Sequence, residues 1–202
     1  MNLRIALIGC GLIGQKRLNL LPPGSVTVAC DTQLDRAKKI AVQSPGCIAT
    51  ESFEQAVSSP NVDVVMIATI NSALAPVALA AVKNGKHVLV EKPAGISVAE
   101  LEELEAAATK AGALVRVGYN HRFHQAALKA LEIFRSGALG EMMFVRGRYG
   151  HGGRIGYDQE WRADPKISGG GEVIDQGVHL IDLEGIFLGV FTTGEGQATT
   201  YF

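Results

Sequence analysis

Short, nearly unbroken apolar runs alternate with segments whose apolar positions recur at helical spacing through the first part of the chain. Residues 3–8, 26–30, 62–68, 87–90 and 113–117 have strand length. The run VDVVMIA at 62–68 is β-branched and apolar on both faces, which predicts a strand buried in the middle of a parallel sheet. Helices are expected near 11–21, 33–42, 73–84 and 97–110. Gly85 and Gly112 stand where a left-handed residue would end the last two. Ser97-Val-Ala-Glu100 has the serine and glutamate spacing of a capping box. Strands that alternate with helices in this way call for an α/β fold, a doubly wound parallel sheet with helices on both faces.

The texture changes after Gly118. A helix is expected over 125–135, ended by Gly137, and a strand over 141–149. A glycine-rich, charged stretch at 150–171 leads into a helix over 172–188 and a strand-like GQATTYF at 196–202. Two strands are too few for an independent sheet. The expectation is therefore one domain over residues 1–120 and a truncated α+β second domain over 121–202, its sheet mostly antiparallel.

Composition narrows the classes of function. Hydrophobic residues make up 47% and charged residues 19%, with a net charge of −1, which suits a packed globular chain. That balance gives no long-range attraction to nucleic acid or to an anionic membrane. No apolar stretch reaches transmembrane length, and the opening MNLRIALIG meets glycines too soon for a signal peptide, so a cytoplasmic location is expected. Cys10, Cys30 and Cys47 lack metal-ligand or CxxC spacing; they read as reduced packing residues, and no metal is expected.

Gly9-Cys-Gly11-Leu12-Ile13-Gly14 falls between the first strand and the first helix, where G-x-G-x-x-G belongs in a dinucleotide-binding Rossmann unit. The glycines permit a tight turn, close approach of backbone to a pyrophosphate, and close helix–strand packing. Asp31 ends the second strand. A carboxylate there accepts hydrogen bonds from ribose hydroxyls and repels a 2′-phosphate, so NAD is expected in preference to NADP, with Arg36 nearby softening the preference. Glu91-Lys92-Pro93 follows a strand at the carboxyl edge, where Lys92 could polarise a substrate hydroxyl; a cis bond at Pro93 would aim it. In Gly169-Gly-Gly-Glu-Val-Ile-Asp175-Gln-Gly-Val-His179, α-helical spacing would put Asp175 and His179 on one face, making His179 a candidate general base. Gly118-Tyr-Asn-His-Arg122-Phe-His124 follows the last strand. His87 opens a buried strand and reads as structural.

Together GxGxxG, EKP, YNHRF and GGG-x3-DxGxH resemble the glucose–fructose oxidoreductase / inositol dehydrogenase (Gfo/Idh/MocA) family of NAD(P)-dependent oxidoreductases, from Ile5 to about Asp182. The resemblance implies hydride transfer between NAD(H) and a secondary hydroxyl or keto group of a sugar, cyclitol or sugar derivative. It implies catalytic roles for Lys92, Asp175 and His179. It also implies cofactor contacts from Thr69, Asn71, Glu91, Lys92, Arg122 and the Trp161-Arg162 element, besides the glycine turn and Asp31. The implied partners are a small carbohydrate or cyclitol substrate and a second copy of the chain, paired through the second-domain sheet. Departures are Ile70 where the family commonly has proline, Leu74 where it commonly has histidine, Glu184-Gly-Ile-Phe in place of a tryptophan-containing helix end, and the short second domain. Two other functions stay open: a protein that binds NAD without catalysis because of the truncation, and an NAD-dependent glycosidase.

Overall fold

The computed structural model describes residues 3–150 and 155–197. They divide into two compact units. One holds the chain up to Gly118 together with a later segment ending at Asp175; the other begins at Tyr119 and resumes at Gln176.

The first unit is built on a six-stranded, wholly parallel sheet. Its strands are β1 (Ile5–Ile8), β2 (Val26–Cys30), β3 (Ile48–Thr50), β4 (Val64–Ile67), β5 (His87–Val90) and β6 (Val115–Val117). They lie in the order β3-β2-β1-β4-β5-β6. Helices α1 (Leu12–Leu18), α2 (Leu34–Gln43), α3 (Phe53–Ser58), α4 (Asn71–Lys83) and α5 (Val98–Ala111) connect them. This is the Rossmann-like α/β architecture that the alternation of apolar runs predicts.

Alternation within each strand divides the core in two. Ala6, Ile8, Val65, Ile67, Val88 and Val90 face α3, α4 and α5, while Ile5, Leu7, Val26, Ala29 and Met66 face Ala37 and Ile40 of α2. Leu74 is fully buried in the first of these cores. All three cysteines are free. Burial pushes the Cys10 thiol up to about 12 and those of Cys30 and Cys47 to about 11, so none is a reactive thiolate at neutral pH.

The register aligns the carboxyl ends of the strands. Backbone pairing continues one residue beyond them: Gly9 N–H donates to Cys30 at 2.8 Å, Ala68 to Ile8 at 2.7 Å, Glu91 to Ile67 at 2.9 Å and Gly118 to Val90 at 2.7 Å. Each residue that follows a strand is thereby fixed to the neighbouring strand, and β1 and β4 flank the point where the strand order reverses.

The helix ends follow local chemistry. Ser97 Oγ accepts from Glu100 N–H, and Gly112 ends α5 at φ 63°. The glutamate half of the capping box is displaced by one residue, since Glu100 accepts from Ile96 N–H at 2.7 Å and not from Ser97. β3 and α3 were not predicted. The strand is three residues long with no fully buried position, and the helix is six residues long, so neither carries a strong periodic signal. The legible clue was Ser52, whose side chain caps Gln55 N–H.

The segment that returns to the first unit contains two 3₁₀ turns, Tyr157–Gln159 and Trp161–Ala163, and the short helix α7 (Pro165–Ser168). Asp164 caps α7, with proline at its first position. A π-helical turn, Val173–Gly177, then leads into α8 (Val178–Leu188).

The second unit contains a 3₁₀ turn, Asn120–Phe123, then α6 (Gln125–Arg135) and α8. Phe134 of α6 meets Phe187 of α8 edge-on, with ring centroids 5.6 Å apart. The strand expected over 141–149 is not formed: this stretch has no regular secondary structure. Among the described residues no neighbouring strand offers it a ladder, and an apolar alternation without a partner leaves backbone groups unpaired. Most of the strand expected at 196–202 lies outside the described residues, and Gly196 and Gln197 are irregular. No antiparallel sheet is formed among the described residues.

Candidate active site

The glycine turn is set by close packing at two of its three glycines. Gly9 has φ 91°, and a Cβ there would run into the Ala68 carbonyl. A Cβ on Gly14 would collide with the Gly9 carbonyl oxygen. Gly14→Ala is therefore expected to cost about 1–3 kcal/mol through overpacking against rigid backbone. A thermal melt checks this, with an unchanged midpoint contradicting it. Gly11 differs: a Cβ there meets no atom within 4 Å. Internal packing does not require glycine at Gly11, so the space over the turn is open to something outside the chain. Leu12 is well exposed, Ile13 partly so, and no acidic side chain occupies the first turn of α1.

Asp31 is 8% exposed, and both carboxylate oxygens already hold the turn together. Oδ2 accepts from Cys10 N–H at 2.8 Å, and Oδ1 accepts from Gln33 N–H at 2.8 Å. Spacing alone did not reveal this bracing role. A carboxylate has about four acceptor sites, so lone pairs remain for hydroxyl donors.

Glu91 and Lys92 follow β5. Glu91 is gripped by Arg17 of α1, whose Nε donates at 2.6 Å and whose Nη2 forms the ion pair. Gly118 passes so close to this pair that a Cβ would press on both side chains. Arg17 is a residue that sequence reasoning missed. The Lys92–Pro93 peptide is cis, as anticipated.

Lys92 Nζ donates to the Asp175 carbonyl at 2.6 Å and to Asp175 Oδ1 at 2.8 Å. Tyr157 Oη donates to Asp175 Oδ2 at 3.0 Å, and Arg162 Nε lies 3.5 Å from the same oxygen. Asp175 is only 5% exposed. Burial raises its carboxyl, but the hydrogen bond and charge of Lys92, with Tyr157 and Arg162 behind them, outweigh burial and hold it below the ordinary carboxylate range. Trp161 lies under the Arg162 guanidinium, 4.4 Å from ring centroid to carbon, and Arg162 also pairs with Glu160.

The turn around Asp175 corrects one expectation. Val173–Gly177 winds as a π-helix, so the α-helical register used to put Asp175 and His179 on one face does not apply there. Three consecutive glycines precede it, each with positive φ, and helical geometry is poorly enforced by such a start. Asn71, expected at the cofactor, is buried, and its amide donates to the Ser168 carbonyl at 2.8 Å. It therefore ties the start of α4 to the end of α7. Thr69 Oγ1 donates to the Ile70 carbonyl at 3.2 Å.

In the second unit His179 is 5% exposed. It stacks on His121 with centroids 3.9 Å apart, and Tyr119 meets it edge-on at 6.2 Å. Arg122 makes a two-pronged ion pair with Asp182, its Nε donating at 2.7 Å, and its guanidinium lies 5.5 Å from the Tyr119 ring centroid. His87 is structural, since its Nδ1 accepts from Leu114 N–H at 3.0 Å.

Residues 3–119 match the model of the oxidoreductase family with an NAD-binding Rossmann fold, GFO/IDH/MocA. The chain belongs to this family. Residues 127–201 also match the GFO/IDH/MocA C-terminal domain. Among curated relatives, levoglucosan dehydrogenase of Pseudarthrobacter phenanthrenivorans is 26% identical over 99% of this chain and 55% of its own length. The 1,5-anhydro-D-fructose reductase of Ensifer adhaerens is 32% identical over 79% of this chain and 47% of its own. The chain thus spans about half the length of the curated GFO/IDH/MocA relatives it matches. An NAD-binding oxidoreductase from Klebsiella pneumoniae has a solved structure with a TM-score of 0.77 at 28% identity, over 94% of this chain and 54% of that one. No helix among the described residues is long and apolar enough to cross a membrane.

Proposed function

We propose that this chain carries the cofactor-binding and catalytic residues of an oxidoreductase that moves hydride between NAD(H) and a secondary hydroxyl or keto group of a sugar, cyclitol or sugar derivative. The observation that carries the reading is the Lys92–Asp175 pair, a cationic donor two residues past the end of β5, braced by a buried carboxylate. Membership of the family and relatives named as dehydrogenases and reductases support it.

The residues present fit a dinucleotide. The turn is tight at Gly9 and Gly14 but open at Gly11, and Asp31 keeps lone pairs for a ribose. Gly9, Gly11, Leu12, Ile13 and Gly14 would hold the pyrophosphate. Asp31 would hold the adenosine ribose and repel a 2′-phosphate, so we infer a preference for NAD over NADP. Thr69, Asn71, Glu91, Arg122, Trp161 and Arg162 complete the proposed cofactor contacts. Asn71, Glu91 and Arg122 would contribute through the elements they fix, given their partners Ser168, Arg17 and Asp182.

When bound, the nicotinamide accepts or supplies the hydride. Lys92 polarises the substrate oxygen, Asp175 fixes the lysine, and His179 takes the hydroxyl proton as general base, or returns it in the reverse direction. We assign a nucleotide-binding domain to residues 1–120 and a substrate and oligomerisation domain to 121–202, with the self-pairing that the family resemblance implies. The proposed setting is the cytoplasm.

Calorimetric titration with NAD and separately with NADP tests the cofactor reading. NAD should bind at least about tenfold more tightly, the equivalent of one charge repulsion at partly screened distance. Equal affinities would remove the role of Asp31. A screen of sugars and cyclitols for reduced-nicotinamide absorbance then tests the reaction. NAD binding with no turnover on any of them would favour a protein that binds the cofactor without catalysis.

A further inference from the structure

Lys92 and Asp175 do not account for the whole of the buried cluster. Tyr157 belongs to a 3₁₀ turn in the returning segment, eighteen residues before Asp175, and its hydroxyl lies 3.0 Å from Asp175 Oδ2. Lys92 holds the other oxygen, Oδ1, at 2.8 Å. A carboxylate gripped at one oxygen can rotate about its Cβ–Cγ bond; gripped at both, it cannot. We propose that Tyr157 is a positioning residue for the reaction, its hydroxyl locking Asp175 so that Oδ1 stays on Lys92 and the ammonium keeps one direction.

Among the described residues, the charged and titratable groups around the carboxylate include Lys92 after β5, Tyr157 and Arg162 from the two 3₁₀ turns, and Glu172, which bonds Tyr157. Arg162 is the weaker brace. It lies 3.5 Å from Oδ2 and shares its guanidinium with Glu160 at 3.1 Å. Tyr157 lies closer to the oxygen, at 3.0 Å, and its one hydroxyl hydrogen serves both Asp175 and Glu172. Burial first, then Glu172 and Asp175, push its phenol well above the ordinary range, so it remains a donor at any working pH. The hydroxyl also fixes the sign of its effect. A donor to the ionised carboxylate favours ionisation, so its removal must raise the Asp175 carboxyl.

The role in the reaction rests on the oxidoreductase reading, but the coupling of Tyr157 to Asp175 does not. Carbon-13 NMR titration of the aspartate carboxyl carbons, with Asp175 assigned by its loss in Asp175→Asn, reads the coupling without turnover. Tyr157→Phe should decrease the acid dissociation constant of Asp175 by about tenfold or more, the value of one lost hydrogen bond to a charged group. An unmoved Asp175 titration overturns the proposal. If Tyr157→Phe does not fold, Asp175→Asn supplies the reciprocal reading at a fixed neutral pH: the Tyr157 Cζ carbon resonance, which reports the hydrogen bond of its hydroxyl, should shift, and an unmoved resonance overturns the proposal equally.

With a sugar or cyclitol that the protein oxidises, Tyr157→Phe should lower kcat about tenfold at unchanged NAD affinity. The acid limb of its pH profile should also move upward with the carboxyl. A fall in kcat with the acid limb unmoved would mark Tyr157 as packing only. Absence of turnover in the unaltered protein would sink the oxidoreductase reading, and the NMR titration would still decide the coupling.

Discussion

Lys92→Ala is expected to abolish turnover, by at least about a hundredfold, while NAD affinity stays within about twofold. The ammonium is the only part of the side chain that the proposed mechanism uses, and its contacts in the protein are to the carbonyl and carboxylate of Asp175. His179→Ala should produce the same kinetic pattern from the second unit. Full activity in both variants would overturn the catalytic assignment. Lys92→Ala has a second consequence that His179→Ala lacks: it leaves Asp175, 5% exposed, without its closest cation.

Breaking a buried pair from one side costs about 3–5 kcal/mol. Tyr157 and Arg162 remain on the carboxylate, and Lys92 keeps partial contact with solvent, so about 2 kcal/mol is the expected loss here. A melt should then fall by roughly 4–8 °C for a chain of this size. The pH dependence has a definite sign. The folded protein holds the Asp175 carboxyl below its unfolded value, so the stabilisation is complete above the ordinary carboxylate range and is lost as pH falls through the folded value. The gap between the parent and Lys92→Ala should be widest near neutrality and narrow in acid. A gap that is constant with pH would show that lost packing of the lysine stem, and not the ion pair, sets the cost.

Asp31→Ala is expected to act on both stability and cofactor choice. Its two oxygens accept the amides of Cys10 and Gln33, so alanine leaves both donors without this acceptor, one of them in the buried glycine turn. An abandoned buried donor costs about 1–3 kcal/mol, and Gln33 can turn to water at lower cost. The melting temperature should drop by about 3–10 °C. Because the turn itself loosens, affinity for NAD and NADP should both weaken. NAD should suffer more, losing a hydrogen-bond acceptor where NADP also loses a repulsion, so the ratio of the two Kd values should fall by about tenfold. Asp31→Asn separates the effects. Its amide oxygen still accepts one N–H while the charge is gone, so discrimination should fall with a smaller change in melting temperature. A Kd ratio unchanged in both variants would leave Asp31 a purely structural brace.

The Rossmann half was legible because its signals are local. Strand runs, the glycine fingerprint, the cap at Ser97 and the stop at Gly112 each lie within one element, and the register carried Gly9, Asp31, Glu91 and Gly118 to one edge. β3 and α3 escaped because three and six residues hold too few turns of either period to stand out. The strand expected over 141–149 shows the opposite failure, since alternation states a capacity that only a neighbouring strand can realise.

Residue identity and spacing by themselves determined the α/β class, the dinucleotide turn, the acidic residue after β2 and the lysine after β5. Each of these depends on backbone geometry and polarity within a few residues. The tertiary structure alone decided what those groups touch. It turned Asp31 into a brace for its own glycine turn, gave Asn71 to Ser168 and Glu91 to Arg17, and wound the stretch around Asp175 as a π-turn. It also brought Lys92, Tyr157 and Arg162 onto Asp175. The physical reason is that a hydrogen bond or an ion pair is set by separation in space. For groups eighteen or eighty-three residues apart, that separation is a property of the packed chain and is not written in any local pattern.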